Sequence, residues 1–148
     1  MEALWQFAAI KVYAIVTVVL VLQSIALAFG TAAVRSKRKQ IVNPEDVAVV
    51  KGGKVDAVDH ADVQRVKRAH QNLLENAVPF FAVGFLYALT NPSVLGAQAY
   101  FCTFLGTRLL HSVFYLWGRQ PFRTLSFVVG VLALIGMCVH VLRFVVAL

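Results

Sequence analysis

The chain has 148 residues, 59% hydrophobic and 14% charged, with a formal net charge of +7 and a mean hydropathy of +0.74. Soluble domains carry about a quarter charged residues, so an ordinary water-soluble globule is excluded. The length leaves room for one domain, and the apolar residues lie in long blocks rather than at core spacing.

No charged residue occurs from Val12 to Val34. Coiled into a helix, that stretch rises about 34 Å, enough for a hydrocarbon core of about 30 Å. The block follows Glu2 and far exceeds the roughly 7–15 apolar residues of a secretory signal, so it reads as a span. A polar loop follows. In it Asn43-Pro44-Glu45-Asp46 reads as a turn or helix start and Gly52-Gly53 as a flexible break. Asp59 is the expected N-cap of a second helix. Val63, Val66, Ala69 and Leu73 recur at helical spacing, so this helix begins in the loop and enters the bilayer near Asn72.

From Asn76 to Thr107 no Asp, Glu, Lys or Arg occurs, but Asn91-Pro92-Ser93 breaks the run into two helices. The fourth block, Thr124 to Leu142, has His140 as its only ionisable group and ends at Arg143. Four spans are expected, roughly 5–34, 73–90, 94–117 and 124–146. The fold class is thus an all-α membrane protein, a four-transmembrane-helix bundle. Cys102 and Cys138 fall inside spans without C-x-x-C spacing and read as packing residues.

Nine of the fourteen basic residues, Arg35 to Arg68, lie between the first and second spans, and Arg119 and Arg123 lie between the third and fourth. The positive-inside rule puts both basic loops in the cytoplasm and both termini, with the Asn91-Pro92-Ser93 turn, on the other side. The cluster Arg35 to Lys39 suits anionic lipid head groups. With no aromatic residues interleaved among these cations, nucleic acid is not an expected partner.

Ionisable groups at bilayer depth are costly and persist when partnered or useful. Arg68, Asn72 and Glu75 sit at i, i+4 and i+7, sharing one face of the second helix. Arg108, His111 and Tyr115 sit at i, i+3 and i+7 of the third. Arg35 closes the first helix and Arg123 opens the fourth, so every helix sends a polar group to one cytoplasmic-side layer. Two readings stand for Glu75 and Arg108: mutual neutralisation between helices, or membership of a ligand site. Arg35, Arg68, Arg108 and Arg123 facing the single acid Glu75 leave a surplus that implies an anionic ligand, and arginine's planar fork suits a carboxylate. His70 reads as interfacial, His140 and Arg143 as snorkelling groups, and Trp5, Trp117 and Lys11 as interface anchors. No H-E-x-x-H, G-x-S-x-G or glycine-rich phosphate loop occurs, so zinc hydrolysis, serine hydrolysis and nucleotide binding have no sequence support, and no metal is expected.

The run Val63-Gln64-Arg65-Val66-Lys67-Arg68-Ala69-His70-Gln71-Asn72-Leu73-Leu74-Glu75-Asn76, followed by Pro79-Phe80, resembles the second-helix signature of the MAPEG family of glutathione-dependent membrane proteins. Asn43-Pro44-Glu45-Asp46, Arg108-x-x-His111-x-x-x-Tyr115 and Gln120-Pro121-Phe122-Arg123-Thr124-Leu125-Ser126-Phe127 fit in order, over nearly the whole chain. The resemblance implies one membrane domain over 1–148, a homotrimer, and glutathione bound near the cytoplasmic side between neighbouring subunits. Arg35, Arg68, Asn72, Glu75, His111, Tyr115 and Arg123 match the family's glutathione-site positions, and Arg108 matches a family arginine. Gln71 and Phe127 stand where the prostaglandin-synthesising branch has an arginine and a tyrosine, which favours the transferase branch. Thr124 matches a serine of the former branch and an alanine of the latter.

On that resemblance, Arg35, Arg68 and His111 are expected to hold the carboxylates of glutathione, and Glu75 with Asn72 to receive its ammonium end. Tyr115 adds a hydrogen bond, and Arg123, helped by Thr124, stabilises the thiolate as the catalytic residue. The expected activity is conjugation of glutathione to lipophilic electrophiles or reduction of lipid hydroperoxides. The alternatives are isomerisation of a lipid endoperoxide, or a non-catalytic lipid-binding member.

Overall fold

The computed structural model describes residue 4 and residues 6–42, 53–55 and 58–148. Asn43-Pro44-Glu45-Asp46, Gly52 and Trp5 lie outside the described residues. Among those described, four long helices follow one another: α1 (Ala8–Lys37), α2 (Ala61–Leu89), α3 (Val94–Trp117) and α4 (Phe122–Val146). Between α1 and α2, β1 (Gln40–Ile41) pairs in parallel with β2 (Lys54–Val55), Gln40 opposite Lys54 and Ile41 opposite Val55.

Each helix boundary has a local cause. The last turn of α1 carries Arg35 and Lys37, cations that complement the negative end of the helix dipole. At the start of α2 the cap is His60, whose side chain accepts from the Asp62 N–H, and not Asp59 as the sequence suggested. Asp59 is instead drawn to Arg35 and Lys67. Gln40 anchors this entry, donating to the Val58 carbonyl at 2.6 Å and accepting from the His60 N–H at 2.8 Å. Ser93 caps α3 by accepting from the Gly96 N–H, and Gly118 ends α3 in the left-handed region that glycine adopts freely. Pro79 inside α2 lacks an N–H and so deprives the Glu75 carbonyl of its donor one turn on.

The stripe Val63, Val66, Ala69 and Leu73 is buried, as its spacing predicts, and continues through Phe80, Tyr87 and Ala88. Phe80 stacks on Phe104 with centroids 4.4 Å apart and meets Phe101 edge-on at 5.8 Å. Such aromatic pairs contribute about 0.5–1.5 kcal/mol each. Tyr13 on α1 joins this cluster and donates to the Phe81 carbonyl at 2.8 Å.

Outward-facing positions are apolar: Ile15, Leu22 and Phe29 on α1, and Leu125, Leu132 and Leu142 on α4, are all exposed. Inside lie Asn76, Thr107, Arg108, His111, Ser112 and Ser126. Polar groups turned inward and apolar ones outward suit a hydrocarbon surround, where packing and internal hydrogen bonds, not water exclusion, hold helices together. The helices α1, α2 and α4 are long and apolar enough to cross a membrane. In length α3 matches the expected span 94–117, but Gln98, Thr103, Thr107, Arg108, His111 and Ser112 dilute its apolar content. Cys102 is exposed on α3 rather than packed inside, whereas Cys138 is half-buried.

Candidate functional site

The first turn of α4 meets the lower half of α3 and the middle of α2 around a cleft of about 250 Å³. Its walls are Asn72 from α2, His111 and Tyr115 from α3, and Arg123, Thr124 and Phe127 from α4. The α3–α4 turn is short, and the cleft lies at the start of α4, where the positive end of the helix dipole favours anions.

Arg123 lays its guanidinium over the Tyr115 ring, 4.7 Å from the centroid, so Tyr115 acts on it through its face. The Gln120 amide lies 3.2 Å from Arg123 Nε and 3.0 Å from Thr124 Oγ1. His111 Nδ1 stands 3.0 Å from the Arg123 carbonyl. A carbonyl only accepts, so Nδ1 carries a proton toward it and Nε2 is the ring nitrogen left for another partner. That Nε2, together with Asn72 Oδ1, is buried without a partner among the described residues. Unpaired polar atoms on two residues that line the cleft suit a polar ligand.

The other expected site residues do not gather here. Arg68 is exposed and donates to Gln64 Oε1 at 3.2 Å, and Glu75 is exposed and accepts from Gln71 Nε2 at 3.0 Å. They share a face of α2 with Asn72, but lie on its outward edge. Arg35 is not a free cation: its Nη2 is 3.0 Å and 3.3 Å from the two carboxylate oxygens of Asp59, which also accepts from Lys67 at 2.8 Å. The Lys67 hydrogen bond, helped by the Arg35 guanidinium, holds the Asp59 carboxyl below its ordinary value of 3.8 against the opposing pull of partial burial. Of the four arginines expected to face one acid, Arg123 lines the cleft, Arg35 is tied to Asp59, Arg68 is exposed on α2 and Arg108 is buried. Arg38 likewise pairs with Asp62.

Arg108 does not meet Glu75, so the mutual-neutralisation reading is set aside. Its guanidinium, 1% exposed, donates from Nη2 to the carbonyls of Ser126 and Phe127, each at 3.2 Å. It lies between the rings of Phe104 and Phe127, 5.4 Å and 5.6 Å from their centroids. From behind the cleft it ties the first turns of α4 to α3. A second polar link is Gln23, whose amide donates to the Arg108 carbonyl at 3.0 Å and to Ser112 Oγ at 2.8 Å. Gln23, Phe127 and Gln120 are parts of this arrangement that were not expected from the sequence. A lone amide in the apolar block of α1, and a position one turn beyond Arg123, were the signals for the first two.

Comparison with known proteins gives three findings. The description "MAPEG family" matches residues 13–143. Microsomal glutathione S-transferase 1 of Homo sapiens is 42% identical over 118 residues, 77% of this chain and 76% of that protein. Prostaglandin E synthase of Equus caballus is 34% identical over 134 residues, 90% of this chain and 87% of that protein.

Proposed function

The chain belongs to the MAPEG family and is an integral membrane protein; from that premise we propose that it is a glutathione transferase-type enzyme that holds glutathione as a thiolate and presents it to lipophilic electrophiles. The observation that carries this reading is the cleft that joins Asn72, His111, Tyr115, Arg123 and Thr124 at the uncapped start of α4.

Glutathione has two carboxylates, an ammonium and a thiol, and only the thiolate is a good nucleophile. Arg123 lies where a sulfur anion meets both a guanidinium and the positive end of α4, and its hydrogen bonds and charge lower the thiol pKa. Thr124 offers a hydroxyl beside it. With Nδ1 committed to a carbonyl, His111 serves an N–H of the peptide or its ammonium, a revision of the carboxylate role expected from resemblance. Asn72 does the same through Oδ1. Arg68 and Glu75, on the outward edge of α2, receive a carboxylate and the ammonium where a neighbouring subunit covers that edge. Arg35 adds Nη1 to a carboxylate while Nη2 keeps Asp59. Arg108 braces α4 and does not touch the ligand.

The sulfur then forms a bond to an electrophilic carbon as the leaving group departs with its electron pair. With a hydroperoxide it attacks the distal oxygen, releasing an alcohol, and a second glutathione completes the disulfide with loss of water. The assembly proposed is a homotrimer of one-domain, four-span subunits, residues 1–148. The basic loops and the site face the cytoplasm, and both termini lie opposite, as the charge distribution supports.

The test is stopped-flow thiolate absorbance on mixing the detergent-purified protein with glutathione, followed by conjugation of chlorodinitrobenzene. Thiolate and thioether are expected. Neither signal from folded protein would leave the non-catalytic alternative standing. A second reading, isomerisation of a lipid endoperoxide, draws on the Thr124 hydroxyl beside Arg123 and on the similarity to prostaglandin E synthases. Product analysis with such an endoperoxide separates the two.

A further inference from the structure

We infer that Gln120 is a positioning residue for this site, its amide fixing the guanidinium of Arg123 and turning the hydroxyl of Thr124 toward the cleft. The inference rests on the role proposed for Arg123. Gln120 lies in the turn between α3 and α4, with its amide 3.2 Å from Arg123 Nε and 3.0 Å from Thr124 Oγ1. A guanidinium has only donors, so the amide oxygen faces Arg123 and accepts from it. The amide nitrogen then faces Thr124 Oγ1 and donates to it. A hydroxyl oxygen engaged as acceptor leaves its own proton free, and Thr124 lines the cleft, so that proton is available to an anion there.

The guanidinium is held on two sides. Tyr115 covers its face at 4.7 Å and Gln120 takes the edge carrying Nε and Nη2, accepting at 3.2 Å and 2.5 Å. The N–H groups not used by Gln120 remain for a ligand anion. An arginine so held loses less rotamer freedom when an anion binds, and its charge is aimed before the ligand arrives. Gln120 is not among the residues that line the cleft, so it acts through Arg123 and Thr124 rather than on the ligand.

Gln120→Glu keeps the shape but puts a carboxylate against Arg123, cancelling its charge and drawing the Thr124 proton away from the cleft. Gln120→Ala removes the hold without adding charge. The experiment titrates the thiolate absorbance of bound glutathione against pH in the parent and both variants, with glutathione affinity by equilibrium dialysis. Gln120→Ala should lower the thiolate fraction at fixed pH about threefold, and Gln120→Glu about tenfold or more, with affinity for Gln120→Ala kept within about threefold. A role in turn stability alone would leave the titration curve in place. If the parent ionises glutathione and the variants titrate with it, Gln120 is not a positioning residue, while the function stands. If the parent forms no thiolate, the role of Arg123 falls, and this inference with it. A second measurement is independent of glutathione: hydrogen exchange at Arg123 Nε, read by nitrogen NMR, should be faster in Gln120→Ala than in the parent. Equal exchange overturns the inference.

Discussion

Gly130 of α4 lies directly against the guanidinium of Arg108 of α3. A methyl group at position 130 would fall 2.6 Å from Thr107 Oγ1 and would overlap Arg108 Nη2 outright. The arginine reaches the Ser126 and Phe127 carbonyls only because position 130 has no side chain. Gly130→Ala should therefore destabilise the protein by about 1–3 kcal/mol, the usual range for overpacking. In contrast, Gly106 of α3 has nothing among the described residues within 4 Å of a would-be Cβ, so Gly106→Ala should be no less stable than the parent. Thermal unfolding in detergent compares the two. Equal melting of Gly130→Ala and the parent would show that Arg108 is free to move.

Asp59 gives the fold a pH dependence at its loop end. Its carboxyl ionises below 3.8, because the Lys67 hydrogen bond, and then Arg35, favour the charged form. A depressed folded-state pKa stabilises above the unfolded value and is lost as pH falls through the folded value. The contribution is thus complete at neutral pH and decays only below about pH 4. Partly exposed ion pairs are screened, so Asp59→Asn should cost about 1 kcal/mol at pH 7. Unfolding measured at neutral pH and again near pH 3 should show the gap between parent and variant closing. A gap that persists in acid would mean that Asp59 acts by packing alone.

Arg123→Ala should form thiolate slowly or not at all, with turnover down about a hundredfold, the scale for removing one preorganised donor. Arg123→Lys keeps the charge but loses the fork on Gln120, and should fall between. Stopped-flow absorbance measures both. Parent-like thiolate in Arg123→Ala would move catalysis to another residue.

Glu75→Gln should weaken glutathione binding about two- to fivefold, as expected for loss of one partly exposed ion pair. Chemistry at saturating glutathione should be little changed, since Glu75 is proposed to meet the ammonium end and not the sulfur. Equilibrium dialysis and turnover at saturation separate these effects. Unchanged affinity would remove Glu75 from the site.

The helices were largely legible in the chain because their signals are local. The span read as 94–117 coincides with α3, and the Asn91-Pro92-Ser93 break falls between Leu89 and Val94. The buried stripe from Val63 to Leu73 follows from helical spacing alone. Asp59 was misread for a physical reason. An acid just before a helix serves equally as a cap or as an ion-pair partner, and only the packing of the end of α1 against the start of α2 decides. Arg108 and Arg123 are alike in the sequence, yet one is enclosed by Phe104 and Phe127 while the other lines the cleft.

From the sequence alone came the hydrophobic blocks, the inward Arg108 and His111 of α3 and the motif order of the family, all properties of residues near one another along the chain. Which cations remain available was decided by tertiary structure, because a guanidinium takes whichever acceptor the register of neighbouring helices brings within about 3 Å. That register assigned Asp59 to Arg35, backbone carbonyls to Arg108, and the cleft to Arg123.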